Sequence, residues 1–189
     1  MVSFYTYLEI YLDDLHKRVS LSEFEKKFKK PHQTIKSHLQ ELVDAKILLC
    51  EKKERFLFFS LNLQNPLTKE FLVMCEKERL FLFLQKTLFK RLYEFLSEFL
   101  NNNKVLIFGS SVKNDKFSDI DLLIISKDEK IKKRINEFSK TYNVKIHCIQ
   151  TEVKDVTESF KIELKKNHIC LNNHEFFVEV LYKHELKLV

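Results

Sequence analysis

Apolar residues near the start of the chain recur at helical spacing. Phe4, Leu8, Tyr11, Leu12 and Leu15 stand at i, i+4, i+7, i+8 and i+11, which predicts an amphipathic helix. Ser22 and Glu25 form a capping-box pair ahead of a stripe with Phe24 and Phe28, so a short second helix is expected there. Pro31 breaks the chain. A third helix is expected just after it, with Ile35, Leu39, Leu42 and Val43 on one face. KILLC at 46–50 and RFLFFSL at 55–61 then read as two strands of a hairpin with the charged tip EKKE.

Asn65 and Pro66 suit the N-cap and first position of a helical region running to about Leu100. Its apolar residues, among them Phe71, Phe81, Phe83, Leu84, Phe89, Tyr93, Leu96 and Phe99, are spread around much of the circumference. A helix apolar on several sides needs more than one partner, so this region is expected to pack between domains, to form a homodimer contact or to be an ordinary buried helix pair. After the polar break NNNK the pattern turns to alternating strands and helices. VLIF (105–108), DIDLLIIS (119–126) and VKIHCI (144–149) read as strands. A helix with Ile131, Ile135 and Phe138 is expected behind a second capping box, Ser126 and Glu129, with two more at about 152–165 and 174–185. The reading is an α+β chain in three parts, 1–64, 65–102 and 103–189.

Helix, helix, turn, helix and hairpin is the order of a winged helix-turn-helix domain, and residues 2–62 resemble the winged-helix domains of prokaryotic transcription regulators. The resemblance implies that the third helix enters the DNA major groove and that the hairpin touches the backbone. Gln33, Thr34, Lys36, Ser37 and Gln40 would face outward on that helix, and Lys52, Lys53 and Arg55 would lie on the wing. Such side chains can read base edges and neutralise phosphates. Winged helices also serve as protein-binding modules, and this segment carries 9 acidic residues against 11 basic.

Charge adds little to this picture. A net charge of +6 is compatible with a polyanionic partner, yet the basic and acidic residues are 6 and 5 in 65–102 and 16 and 13 in 103–189, so no part is a basic block. Cys50, Cys75, Cys148 and Cys170 show no CxxC spacing and are expected to be buried, reduced thiols. The opening MVSFYTYLEIYLDDL lacks a basic start and turns acidic early, so a cytoplasmic location is expected. The most apolar run, LFLFLQKTLF at 80–89, is well short of a membrane span.

The candidate chemistry lies in FGSSVKNDKFSDIDLLIIS, residues 108–126, which holds Gly109, the only glycine of the 189 residues. A residue without Cβ at the end of a buried strand lets the chain turn sharply and a polyanion approach the backbone. Ser110 and Ser111 offer hydroxyls and N–H groups, and Lys113 adds a mobile positive charge. Asp119 and Asp121 alternate with Ile120 and therefore share one face of a strand. Two such carboxylates repel unless a cation sits between them, and hard oxygen ligands suit Mg²⁺ or Mn²⁺.

An apolar strand, Gly-Ser, a basic residue and then Ser-Asp-Ile-Asp opening a second apolar strand resembles the signature of the DNA polymerase β-type nucleotidyltransferase superfamily, in particular its minimal branch. The likeness is clearest over 104–126 and extends more weakly to 182. It implies that Gly109, Ser110, Ser111 and Lys113 bind the triphosphate of an NTP and that Asp119 and Asp121 ligate catalytic Mg²⁺ or Mn²⁺. It also implies a mixed sheet flanked by helices. Two positions depart from the pattern: Asn114 replaces the loop's second glycine, and His147 falls where the family has a third carboxylate. A neutral imidazole there can act as a general base or ligate Mn²⁺ or Zn²⁺, and it is a poor ligand for Mg²⁺; alternatively it fills a site that has lost its chemistry. Glu152 and Asp155 are the other carboxylates near that strand. Three functions stay open: metal-dependent nucleotidyl transfer to an acceptor hydroxyl, a DNA-binding regulator with a degenerate nucleotidyltransferase domain, and an antitoxin-like protein that modifies a partner.

Overall fold

The computed structural model describes residues 4–186. The ends of the first and last expected parts, 1–3 and 187–189, and the side chain of Phe4 lie outside the described residues. The chain forms two compact units, residues 1–78 with 182–189, and residues 79–181.

In the first unit, a 3-10 helix spans Phe4–Tyr11 where an α-helix is expected. Leu8 and Tyr11, and then Leu12 and Leu15, lie three residues apart, so the buried face is compatible with the tighter winding. Strand β1 (Val19–Ser20) runs straight into helix α1 (Leu21–Phe28). The capping box lies two residues earlier than the sequence suggests: Ser20, not Ser22, is the cap, held extended by its pairing with Phe58. Its Oγ accepts from Glu23 N–H, and Glu23 Oε2 accepts from Ser20 N–H at 2.7 Å. The Ser20 hydroxyl bonded to Glu23 holds that carboxyl below its ordinary pKa. Glu25, the other half of the expected box, instead contacts His32 Nδ1 at 2.5 Å.

Helix α2 (His32–Asp44) buries Ile35, Leu39 and Leu42. Strands β2 (Leu48–Lys53) and β3 (Phe56–Leu61) form an antiparallel hairpin, and β1 pairs with β3 to complete the sheet. The hairpin turns at Glu54 and Arg55, so Glu51, Lys52 and Lys53 belong to β2 and not to the tip as expected. Glu54 takes the left-handed backbone, φ 54°, that this tight turn demands. The core holds an aromatic cluster: Phe24 stacks on Phe28, Tyr7 meets both edge to face, and Phe59 meets Phe24 edge to face.

The helical region after Pro66 is two helices, α3 (Leu67–Phe83) and α4 (Thr87–Leu100). Asn65 Oδ1 accepts from Leu67 N–H as an N-cap would. The apolar residues on α3 are not all covered. Leu67, Met74, Phe81 and Leu82 are exposed, Phe81 by 67%.

The second unit is a four-stranded mixed sheet in the order β6-β5-β4-β7. Its strands are β4 (Lys104–Phe108), β5 (Asp119–Ile125), β6 (Lys145–Thr151) and β7 (His168–Cys170). Only β5 and β6 run parallel, and helix α6 (Lys130–Tyr142) makes the crossover between them. The expected Ser126–Glu129 box does not form; Ser126 Oγ accepts from Asp128 N–H and Asp128 Oδ1 from Lys130 N–H, two short turns that lead into α6. Leu92 and Leu96 of α4 and Ile131, Ile135 and Phe138 of α6 pack with Val105, Ile107, Ile120, Leu122 and Ile124 of the sheet in one buried cluster. Each such side chain contributes about 1.5–3 kcal/mol on burial.

A 3-10 turn at Val153–Asp155 and helix α7 (Glu158–Lys166) stand where one helix is expected, and α8 spans His174–Tyr182. The short strand β7 has no counterpart in the sequence reading. The four cysteines form no disulfide, and two depart from the expected burial: Cys50 is exposed because β2 faces solvent beyond Leu48, and Cys148 is half-buried. Among the described residues no helix is long and apolar enough to cross a membrane.

Candidate active site

Gly109 follows β4 directly, with Phe108 paired to Asp121 on one side and to His168 on the other. Its N–H donates to Asn167 O at 3.2 Å, which carries the β4–β7 ladder one residue further. Gly109 adopts φ 79°, ψ −154°, a region that is essentially glycine's alone. A Cβ there would lie 2.5 Å from Asp121 Oδ2. The lone glycine is therefore what lets the Asp121 carboxylate lie against the chain.

The turn continues as a four-residue helix, α5 (Ser110–Lys113). Ser110 and Lys113 are exposed. Ser111 is not: it is fully buried, and its Oγ has no hydrogen-bond partner. Asn114, at the departed glycine position, has extended backbone, so the turn needs no second glycine. Further along the loop, Asp115 pairs with Lys86 at 2.9 Å.

Asp119 and Asp121 open β5 and share a face while Ile120 is buried opposite. The Ser118 hydroxyl donates to Asp119 Oδ1 at 2.8 Å. In the parallel register Asp121 pairs with His147. His147 Nδ1 lies 3.3 Å from Asp119 Oδ2 and 3.4 Å from Asp121 Oδ1. One donor atom from each of the three stands within 4.8 Å of the others. Carboxylates this close repel by roughly 3–4 kcal/mol at an effective dielectric of about 20, which a divalent cation would cancel. Two carboxylates and an imidazole converging from adjacent strands are a donor set that fits such an ion. The carboxylates are 21% and 27% exposed and the imidazole 49%, so the cluster is open to solvent on the His147 side.

Glu152 and Asp155 do not replace the third carboxylate. β6 runs parallel to β5, so its far end meets Ile125, at the opposite end of the strands from the aspartates. Five residues of strand put Glu152 on the order of 16 Å past His147. Its carboxylate is held instead by Lys127 at 2.8 Å and Lys154 at 3.4 Å.

A cavity of about 350 Å³ borders Gly109, lined also by Ser159, Ile162, Glu163, Lys166 and Asn167. The sequence reading missed this wall, because α7 has an ordinary amphipathic pattern and only the unpredicted β7 brings Asn167 to the loop. The residues expected to touch DNA lie in the first unit. Gln33, Thr34, Lys36 and Ser37 are exposed on α2, and Lys52, Lys53 and Arg55 are exposed on the hairpin. Gln33, Lys36, Ser37 and Gln40 share a shallow surface with Glu41 and Asp44, so that face is mixed in charge.

Residues 89–177 match the family model of the Nucleotidyltransferase domain. The match supports the nucleotidyltransferase superfamily and nucleotidyl transfer in general, and it covers Gly109, both aspartates and His147. No curated protein and no solved structure matches the chain. Nucleotidyltransferase domains use divalent metals and NTPs, in keeping with the donor set above.

Gly109→Ala is expected to cost about 1–3 kcal/mol from its backbone conformation alone, and to turn the Asp121 carboxylate out of the cluster. Adding Asp121→Ala should relieve the clash, so that the double variant is more stable than the sum of the singles. Denaturant titration of the four proteins measures this; a Gly109→Ala protein as stable as the parent contradicts it.

Proposed function

We propose that this chain transfers a nucleoside monophosphate from an NTP to an acceptor hydroxyl, through residues in 103–189. The observation that carries the reading is the convergence of Asp119, Asp121 and His147 beside the glycine turn, inside the segment that matches the nucleotidyltransferase domain. Asp119 and Asp121 would hold Mg²⁺ or Mn²⁺. Such an ion, when bound, supplies the positive charge that phosphoryl transfer needs on its non-bridging oxygens.

The chain's own contribution is positioning. Gly109 lets the Asp121 carboxylate lie against the turn, so that a triphosphate held by the ion would lie beside the loop. Ser110 and Lys113 are exposed beside it and can hydrogen-bond and neutralise phosphate oxygens. Ser118 orients Asp119 through its hydroxyl. The cavity bordered by α7 gives the nucleoside or the acceptor a place to lie. Transfer of radiolabel from α-labelled NTPs, assayed with Mg²⁺ and with Mn²⁺, tests the reading. Asp121→Asn should lower the rate at least about 100-fold, a loss of about 3 kcal/mol in transition-state stabilisation. Transfer that survives this change, or none by the parent chain with any NTP, contradicts it.

We further propose that residues 1–64 are a winged helix that contacts DNA. The order β1-α1-α2-β2-β3, with β1 added to the hairpin, supports it. So does the polar outer face of α2 over a buried Ile35, Leu39 and Leu42. Lys36→Ala and Lys53→Ala should each weaken binding to a duplex of arbitrary sequence and reduce the slope of log affinity against log salt by about one. Fluorescence anisotropy across a salt series reads both; an affinity indifferent to salt and to both changes overturns it.

A further inference from the structure

We infer that His147 decides which divalent cation the site takes, and that it admits Mn²⁺ in preference to Mg²⁺. This rests on the reading of the Asp119–Asp121 pair as a metal site, and it concerns a residue at which the chain departs from its family's pattern.

His147 is oriented as a ligand. The ring nitrogen that faces the aspartates is at nearly equal distances from the two, 3.3 and 3.4 Å. Both are longer than the roughly 2.7–2.9 Å of a charge-assisted hydrogen bond. They fit the edges of a coordination shell instead: ligands about 2.1–2.2 Å from an ion and about 90–100° apart are separated by roughly 3.0–3.4 Å. With one donor atom of each residue within 4.8 Å of the others, the three converge on one small volume.

The third donor is fixed by the backbone. The register of β5 and β6 sets His147 opposite Asp121, and Cys148, the next residue, falls on the other face of the sheet. Glu152, the nearest carboxylate further along the chain, is held by Lys127 and Lys154 past the far end of β6. An all-carboxylate site would serve Mg²⁺, which requires a near-ideal octahedron of oxygens and sheds water reluctantly. Replacing one oxygen donor by an imidazole penalises Mg²⁺, the smaller and harder ion with the stricter demand for oxygen, more than it penalises Mn²⁺. Half of the imidazole is exposed, so water and phosphate oxygens can complete the shell.

The test uses the full-length protein with the metal alone. Pulsed electron paramagnetic resonance of bound Mn²⁺ should show a directly coordinated ¹⁴N, and this coupling should vanish in His147→Asp. Competition between Mn²⁺ and Mg²⁺, followed by the free Mn²⁺ signal, should show the parent's preference for Mn²⁺ falling about tenfold or more in that variant. His147→Gln, which restores no carboxylate, should lose the nitrogen signal and bind both ions weakly, and it replaces His147→Asp if that variant does not fold. Absence of Mn²⁺ binding, absence of nitrogen coupling in the parent, or an unchanged ion preference in His147→Asp overturns the inference. Transfer activity without nitrogen coupling refutes the role of His147 and leaves the proposed reaction standing. Nitrogen coupling without transfer from any NTP does the reverse.

Discussion

The site depends on how closely the Asp121 carboxylate approaches the backbone at Gly109. β4 lies between β5 and β7, so the residue that ends it is pressed from both sides, by Asp121 across one ladder and by Asn167 across the other. Only a residue without Cβ fits, and only glycine adopts its backbone angles without strain. The consequences run outward from that contact. Asp121 can then sit level with Asp119 on the same face, and the parallel register adds His147 to the pair. A turn, a carboxylate pair and a third donor are thus assembled from three strands whose order is set by a buried aliphatic core.

Much of this was legible because the residues involved are unusual for the chain. A single glycine in a sequence that otherwise lacks it marks a place where the backbone has a steric requirement. The Asp-Ile-Asp alternation at the head of an apolar run showed that both carboxylates share a face. Aligning VKIHCI as the next strand of the sheet brought His147 to the pair, and the structure has it there. Less visible was what tertiary contact decides. Ser111 reads like its neighbour Ser110 in sequence, yet the first turn of α5 points it into the interior. β7 is three residues long, too short to show a period, and it exists because β4 offers it an edge. The capping boxes failed for a related reason: Ser20 outcompeted Ser22 because β1 holds it extended, and Asx and Ser turns replaced the box at Ser126.

The first unit follows a different economy of interactions. Its buried aliphatic residues pack with a cluster of Tyr7, Tyr11, Phe24, Phe28 and Phe59, where aromatic pairs add about 0.5–1.5 kcal/mol each beyond burial. The ion pairs around it, such as Lys17 with Asp13 and Arg18 with Glu51, are largely exposed and contribute little. That leaves the charged residues of α2 and the hairpin with few structural duties. Their exposure leaves them available to a partner, on a face where Lys36 is mixed with Glu41 and Asp44.

The central claim is that the Gly109 turn and the Asp119–Asp121–His147 cluster form one nucleotide-binding metal site. A crystal of the full-length protein grown with Mn²⁺ and a non-hydrolysable NTP analogue, measured at the manganese absorption edge, tests it most directly. The account predicts an anomalous peak bonded to both aspartates and His147, with the triphosphate against the Gly109 backbone. A nucleotide bound away from Gly109, or manganese bound anywhere other than this cluster, would contradict it.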